Sequence, residues 1–545
     1  MTRAESQGMK VMMMFSSWLL GLCALLQVPP PERGGEAVQQ LEFERRSIIA
    51  RETAELASLV VDLVKQGDKV AANAVRAELP RALAPDGPTR FMPLAEIVER
   101  RKSSQDGMLP PVFRDIRRHT AAGLFDLAMK AARSPSAQYS LASVCLRAVL
   151  EREPDHKEAR RLLGYVSHDG GWATPFAVRE LKKNNVNHPT FGWVARDWVA
   201  HLEQGELPAP LEKGQKRARW IPVAEADRLR ADWSPPWRFS TEHFEIQTNV
   251  PLAEAITFGR RLEAFHDLFM TLFADILGEN LPIIRLLKNP ALSPEGLPQS
   301  KLHQVYYFGS KEKFVEFLTP RLGPEVALNL GFFDPPKGGH GRGPAYFYRD
   351  PNGQIPETAT LYHEVSHQLL FETAGPNSYT KNHGNFWVFE GLGTYFETVT
   401  PQPDGSLEVG GFVGPRLAEA YHSLVVNRSS VPLAEFVAFD ESRFRDKVQI
   451  YQNYQQAMAL TVFLMQRNQG AYRDDFLDYV RDAYHGRIKR GNVRLALQNR
   501  LHQPFEKLDV EFLTFLKDAK EAQHGPDPVE AKPAVRDAIR TVPGE

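Results

Sequence analysis

The chain has 545 residues, 43% of them hydrophobic, with 66 basic and 67 acidic side chains and a formal net charge of −1. That length and apolar content support cores for about three domains. The even charge balance removes any global electrostatic case for binding nucleic acid or an anionic membrane.

At the N-terminus, Lys10 precedes an apolar run from Val11 to Leu26, closed by Pro29. The run is shorter than the roughly 20 residues of a membrane span, so it predicts a signal peptide over 1–28 and an exported mature chain with no stable span. Leu22 stands where a lipoprotein site needs a small residue, which argues against a lipid anchor at Cys23. Cleavage leaves Cys145 alone, so no intramolecular disulfide is expected.

Residues 37–170 read as an α-helical domain. Within it, Ala122–Ala128 and Ser140–Tyr165, with Pro154 at a turn and Leu163-Gly164-Tyr165 closing, resemble the tetratricopeptide pattern of paired helices. That resemblance implies a surface for a protein partner; a plain helical bundle fits equally. Residues 171–236 form a connecting region between Gly170-Gly171-Trp172 and Ser234-Pro235-Pro236-Trp237.

The span 237–400 carries strand and helix patterns in alternation. Phe244–Thr248 alternates as a strand, and Phe258, Leu262, Phe265, Phe269 and Leu272 then form one apolar helical stripe. Ile283–Leu287 and Val305–Phe308 read as further strands, and Ser310 as the N-cap of a helix through Leu318. The Gly- and Pro-rich 335–341, with His340, reads as a loop. Gly343–Asp350 reads as an edge strand. Residues 401–520 are helical in pattern, and the charged, apolar-poor 521–545 predicts a disordered tail.

The chemistry is concentrated in Leu361-Tyr362-His363-Glu364-Val365-Ser366-His367. H-E-x-x-H on a helix puts His363 and His367 one turn apart on one face, where two imidazoles can share a Zn²⁺. Glu364 projects beside them and can take a proton from an activated water without ligating the metal. Leu361, Val365 and Leu369 recur at i+4, so the helix is half buried. A catalytic zinc needs a third protein ligand. Leu370 and Thr373 stand where the extended H-E-x-x-H-x-x-G-x-x-H motif has its glycine and last histidine, which excludes that class. Three residues compete: His383 in a loop, and Glu390 and Glu397, two turns apart on the apolar segment Phe386–Glu397.

Over Trp237–Lys517 these residues resemble the gluzincins, zinc peptidases whose third ligand is a glutamate on the helix after H-E-x-x-H. The match lies in Glu390-Gly391 with Tyr395 and Glu397 following, and it is similar to an uncharacterised exported bacterial family with a peptidase MA-like domain. The resemblance implies an α+β, zincin-like fold: a small mixed sheet on the H-E-x-x-H helix over 237–400, then a helical subdomain over 401–520. It also implies His363, His367 and Glu390 as ligands, Glu364 as base, and Glu397 as a hydrogen-bonding partner that orients a ligand. Such enzymes steady the oxyanion with a donor from a later helix; Tyr454 and Tyr451 are the candidates, with Tyr454 favoured. The implied function is zinc-dependent hydrolysis of a peptide or protein substrate. A catalytically silent scaffold working through the N-terminal helices, and a zinc hydrolase of non-peptide amides or esters, are the alternatives. The aminopeptidase motif Gly-x-Met-Glu-Asn is absent from the sequence.

Overall fold

The computed structural model describes residues 36–79, 87–99, 109–134, 137–211, 215, 217–278, 281–336, 341–350, 357–374, 384–411 and 415–524. The expected leader with Cys23, the residues His340 and His383, and positions 525–545 of the expected tail lie outside the described residues. The fold is mixed α+β, largely helical with small sheets. Among the described residues no helix is long and apolar enough to cross a membrane.

In the N-terminal region the helix Pro111–Arg133 starts with proline at its first turn, where a missing N–H costs nothing. It buries Leu124, Leu127, Ala128 and Ala131 against Leu141, Ala142, Cys145 and Val149 of the helix Tyr139–Arg152. The long helix Glu36–Lys65 packs on this pair. Its Glu52, 1% exposed, is held by Arg152 at 2.6 Å and Arg117 at 3.6 Å, so the buried charge is paired rather than stranded. The next helix, Lys157–Leu162, is six residues long and the chain then turns into a hairpin, so the helix pair is not followed by a second full one. Residues 37–170 are also not purely helical. Thr89–Phe91 pairs antiparallel with Leu407–Val409, tying this region to the far half of the chain.

The connecting region is a threefold hairpin-and-helix series. The hairpins are Val166–His168 with Gly171–Ala173, Asn185–His188 with Gly192–Ala195, and Glu206–Pro208 with Trp220–Pro222. Short helices follow at Pro175–Lys182, Val199–Glu203 and Val223–Arg228. Trp172, Trp193 and Trp220 each stand on the second strand of their hairpin.

The main sheet has five strands: β1 (Trp237–Ser240), β2 (Phe244–Thr248), β3 (His303–Phe308), β4 (Gly331–Phe333) and β5 (Pro344–Tyr348), in the order β4-β5-β3-β2-β1. β2, β3 and β5 run parallel, and β1 and β4 are antiparallel edges. Two expectations change here. Ile283–Leu287 belongs to a helix, Pro282–Lys288; a short apolar run does not distinguish strand from helix, and here Pro282 opens a turn whose Leu286 and Leu287 enter the N-terminal helical core. Pro344–Tyr348 is not the edge, because Gly331–Phe333 covers it. The helix Lys311–Leu322 is capped by Ser310 as expected, with the Lys313 N–H on Ser310 Oγ at 3.4 Å.

One apolar core runs from Phe244 through Leu361, Val365 and Trp387 to Phe515, so packing does not break at residue 400. Each large side chain buried there contributes roughly 1.5–3 kcal/mol. The last helix, Phe505–His524, extends into the stretch expected to be disordered.

One packing detail is testable by pH. Burial pushes the Asp474 carboxyl up to about 7, with Glu42, Asp275 and Asp475 adding to the rise and Arg473 opposing it. A raised carboxylate pKa means the folded state holds a proton the unfolded state has lost, so stability falls as pH climbs from about 4 through 7. Asp474→Asn should therefore lose less of its melting temperature than wild type between pH 5 and pH 8 in scanning calorimetry; parallel losses would refute this.

Candidate metal centre

Two helices build the site. Helix Glu357–Ala374 buries Leu361, Tyr362, Val365, Leu369 and Leu370 in the core, which turns His363, Glu364 and His367 toward a shared cleft. Helix Phe386–Phe396 is apolar on nearly every side and buried at every position but Phe389, and its Glu390 is 2% exposed. A buried carboxylate in such a helix needs strong partners.

Its partners are the two histidines. His363 Nε2 lies 3.4 Å and His367 Nε2 3.8 Å from Glu390 Oε2, and the two nitrogens are 3.1 Å apart. Four ligands at zinc bond lengths of about 2.0–2.1 Å stand about 3.3 Å from one another in a tetrahedron. The triangle of donors thus has the right size and the right chemistry for that ion. Glu397 takes the opposite side of the same imidazole: His363 Nδ1 donates to its Oε1 at 2.9 Å, the arrangement that fixes a ligating histidine's tautomer.

The electrostatics fit an ion-ready cluster. Burial opposes a charge on His363, but Glu390 and Glu397 outweigh it and push the imidazole up to about 10. His367 goes down, through burial and the neighbouring His363. Glu390 is held well below the usual carboxylate range by the two imidazoles, against its own burial. A cation entering the site displaces the proton on His363, so binding should release protons.

The oxyanion candidates separate. Tyr454, on the helix Ile450–Gly470, is partly buried against Phe444, and its hydroxyl bonds to Glu390; burial and that carboxylate hold it as a neutral phenol. Tyr451 is 76% exposed. It sits in the first turn of the helix, and three residues leave side chains about 60° apart, enough here to carry it away from the cleft. Of the two candidates, only Tyr454 reaches the site.

Several contributors were not read from the sequence. Arg445 Nη2 reaches Glu390 Oε1 at 3.1 Å, and its guanidinium lies over the Phe386 ring. Phe389 stacks on His367 with ring centroids 3.8 Å apart. A β-carbon on Gly393 would stand 2.8 Å from His363 Nε2, and one on Gly391 would stand 2.5 Å from Thr461 Oγ1, so both glycines exist to let neighbours close in. Glu364 accepts the Phe333 N–H at 3.2 Å, anchoring the expected base to the true edge strand β4. These contacts come from distant chain segments and leave no spacing signal; only the glycine pair inside an apolar helix hinted at close approach.

Residues 357–485 match the sequence model of a family described as a protein of unknown function, DUF1570. The match covers both helices of the site and Tyr454. No curated protein matches the chain.

Proposed function

We propose that the protein is an exported, zinc-dependent metallopeptidase of gluzincin type, its catalytic unit zincin-like and preceded by a helical region that offers a protein partner a surface. The observation that carries this reading is the convergence of His363 Nε2, His367 Nε2 and Glu390 Oε2 within 3.1–3.8 Å, with Glu364 beside them. His363, His367 and Glu390 hold the ion, and Glu397 and Arg445 hold His363 and Glu390 in place. Zinc, when bound, lowers the pKa of water toward about 7 and polarises the scissile carbonyl. Glu364 takes the proton from the attacking water and returns it to the leaving amine. Tyr454 donates its phenolic hydrogen to the oxygen on which charge develops, a role its neutral state permits. The edge of β4 beside Glu364 offers backbone groups to an extended substrate.

Purified protein should carry zinc in the site, and a chelator should abolish cleavage of a peptide library, with zinc restoring it. Tyr454→Phe should cost roughly 10²–10³-fold in turnover, and Tyr451→Phe should leave the rate unchanged. Zinc bound with no cleavage of peptide, amide or ester substrates would favour a silent scaffold.

A further inference from the structure

A second convergence of metal-binding groups lies where the hairpin modules meet the sheet. His243 precedes β2, and Glu263 and His266 sit one turn apart on the helix Leu252–Leu272. Ligand atoms of all three lie within 4.8 Å of one another. We propose that His243, Glu263 and His266 form a second metal site, for a divalent transition ion such as Zn²⁺, separate from the catalytic centre.

The donor chemistry is that of a zinc site, two imidazoles and a carboxylate. His243 Nδ1 and Glu263 Oε2 are 2.7 Å apart and share a proton, and the ion takes that proton's place. Glu263 Oε1 meanwhile accepts the His243 backbone N–H at 2.7 Å, which fixes the carboxylate while leaving lone pairs for a metal. His266 is buried beside this pair, with its ligand nitrogen inside the same cluster. Its ring stacks on His243 at 3.8 Å, so one ring must turn for both to face one ion; His243, 32% exposed in its side chain, has the room.

The surroundings supply a reason for a cation. Glu96 and Glu242 lie close by. Glu96, Glu242 and Glu263 thus share one partly buried neighbourhood, and a divalent ion would balance their charge. Glu242 also accepts from Thr174 Oγ1 at 3.0 Å, and Glu96 from Trp193 Nε1 at 2.8 Å, so the site sits where two hairpin modules meet the sheet. An ion there would clamp the loop before β2 to the helix that supports it. This does not depend on the peptidase reading.

The test is a calorimetric zinc titration of the metal-stripped full chain at pH 7.5, with Co²⁺ absorption as a second probe. Wild type should bind two ions per chain, and Glu263→Gln and His243→Asn one each. These two side chains are partly exposed, so the variants avoid the folding risk of His266→Ala. His363→Ala should keep one ion, and its melting temperature should rise with zinc; the rise should vanish in the His363→Ala, Glu263→Gln double variant. One ion in wild type and none in His363→Ala would overturn the second site and leave the first standing. Two ions retained in both Glu263→Gln and His243→Asn would also overturn it. If His363→Ala bound as many ions as wild type while Glu263→Gln lost one, the second site would stand and the catalytic-metal reading would fail.

Discussion

Glu364→Gln is expected to slow peptide hydrolysis by about 10²–10⁴-fold while zinc stays bound. The residue follows His363 on the same helix and accepts the Phe333 N–H at 3.2 Å, beside the His363, His367 and Glu390 donor triangle but not one of its corners. The amide keeps the shape of the carboxylate and can still accept that hydrogen bond through its oxygen, so β4 should keep its position. What it cannot do is take a proton from water. Steady-state rates and zinc content measured on the same preparation check this. Equal rates in wild type and Glu364→Gln would assign the activity to another site or a contaminant.

Glu390→Ala is expected to release zinc, weakening it by more than the roughly 10–100-fold that loss of an outer hydrogen-bonding partner costs. Glu397→Gln supplies that comparison, because Glu397 meets His363 at Nδ1, on the far side of the ring from Glu390. The alanine also strips Arg445 and Tyr454 of the carboxylate they share, leaving His367 without that partner and His363 with Glu397. Competition titrations with a chromophoric chelator should rank the affinities wild type, then Glu397→Gln, then Glu390→Ala. Equal loss in the two variants would mean that Glu397 ligates as well, and full retention in Glu390→Ala would move the ligand role elsewhere.

The H-E-x-x-H helix is legible because its chemistry is local: a spacing of four residues puts two imidazoles on one face wherever the segment is helical. Glu390 and Glu397 were legible for the same reason, seven residues being two turns, and the structure sets them on opposite nitrogens of one ring. Arg445 was not, since nothing in its neighbourhood shows that it reaches 55 residues back. The edge strand was misread because Gly331–Phe333 is too short to show alternation, whereas Pro344–Tyr348 is aromatic and conspicuous. Ile283–Leu287 failed for want of length. The three hairpins failed because their strands are three or four residues each, and only the recurring tryptophans mark the period.

The two glycines of the Glu390 helix also bear on the order of assembly. Gly391 lies against Thr461 and Ala457, and Glu390 is held by Arg445 and Tyr454, all more than 50 residues later in the chain. A chain emerging from synthesis therefore carries both histidines and both glutamates well before it carries the wall that seats them. Closing that long loop costs entropy before any contact repays it. The candidate metal centre is then complete only when the segment from Arg445 onward docks, and a fragment truncated before that point holds the whole motif without the residues that seat it.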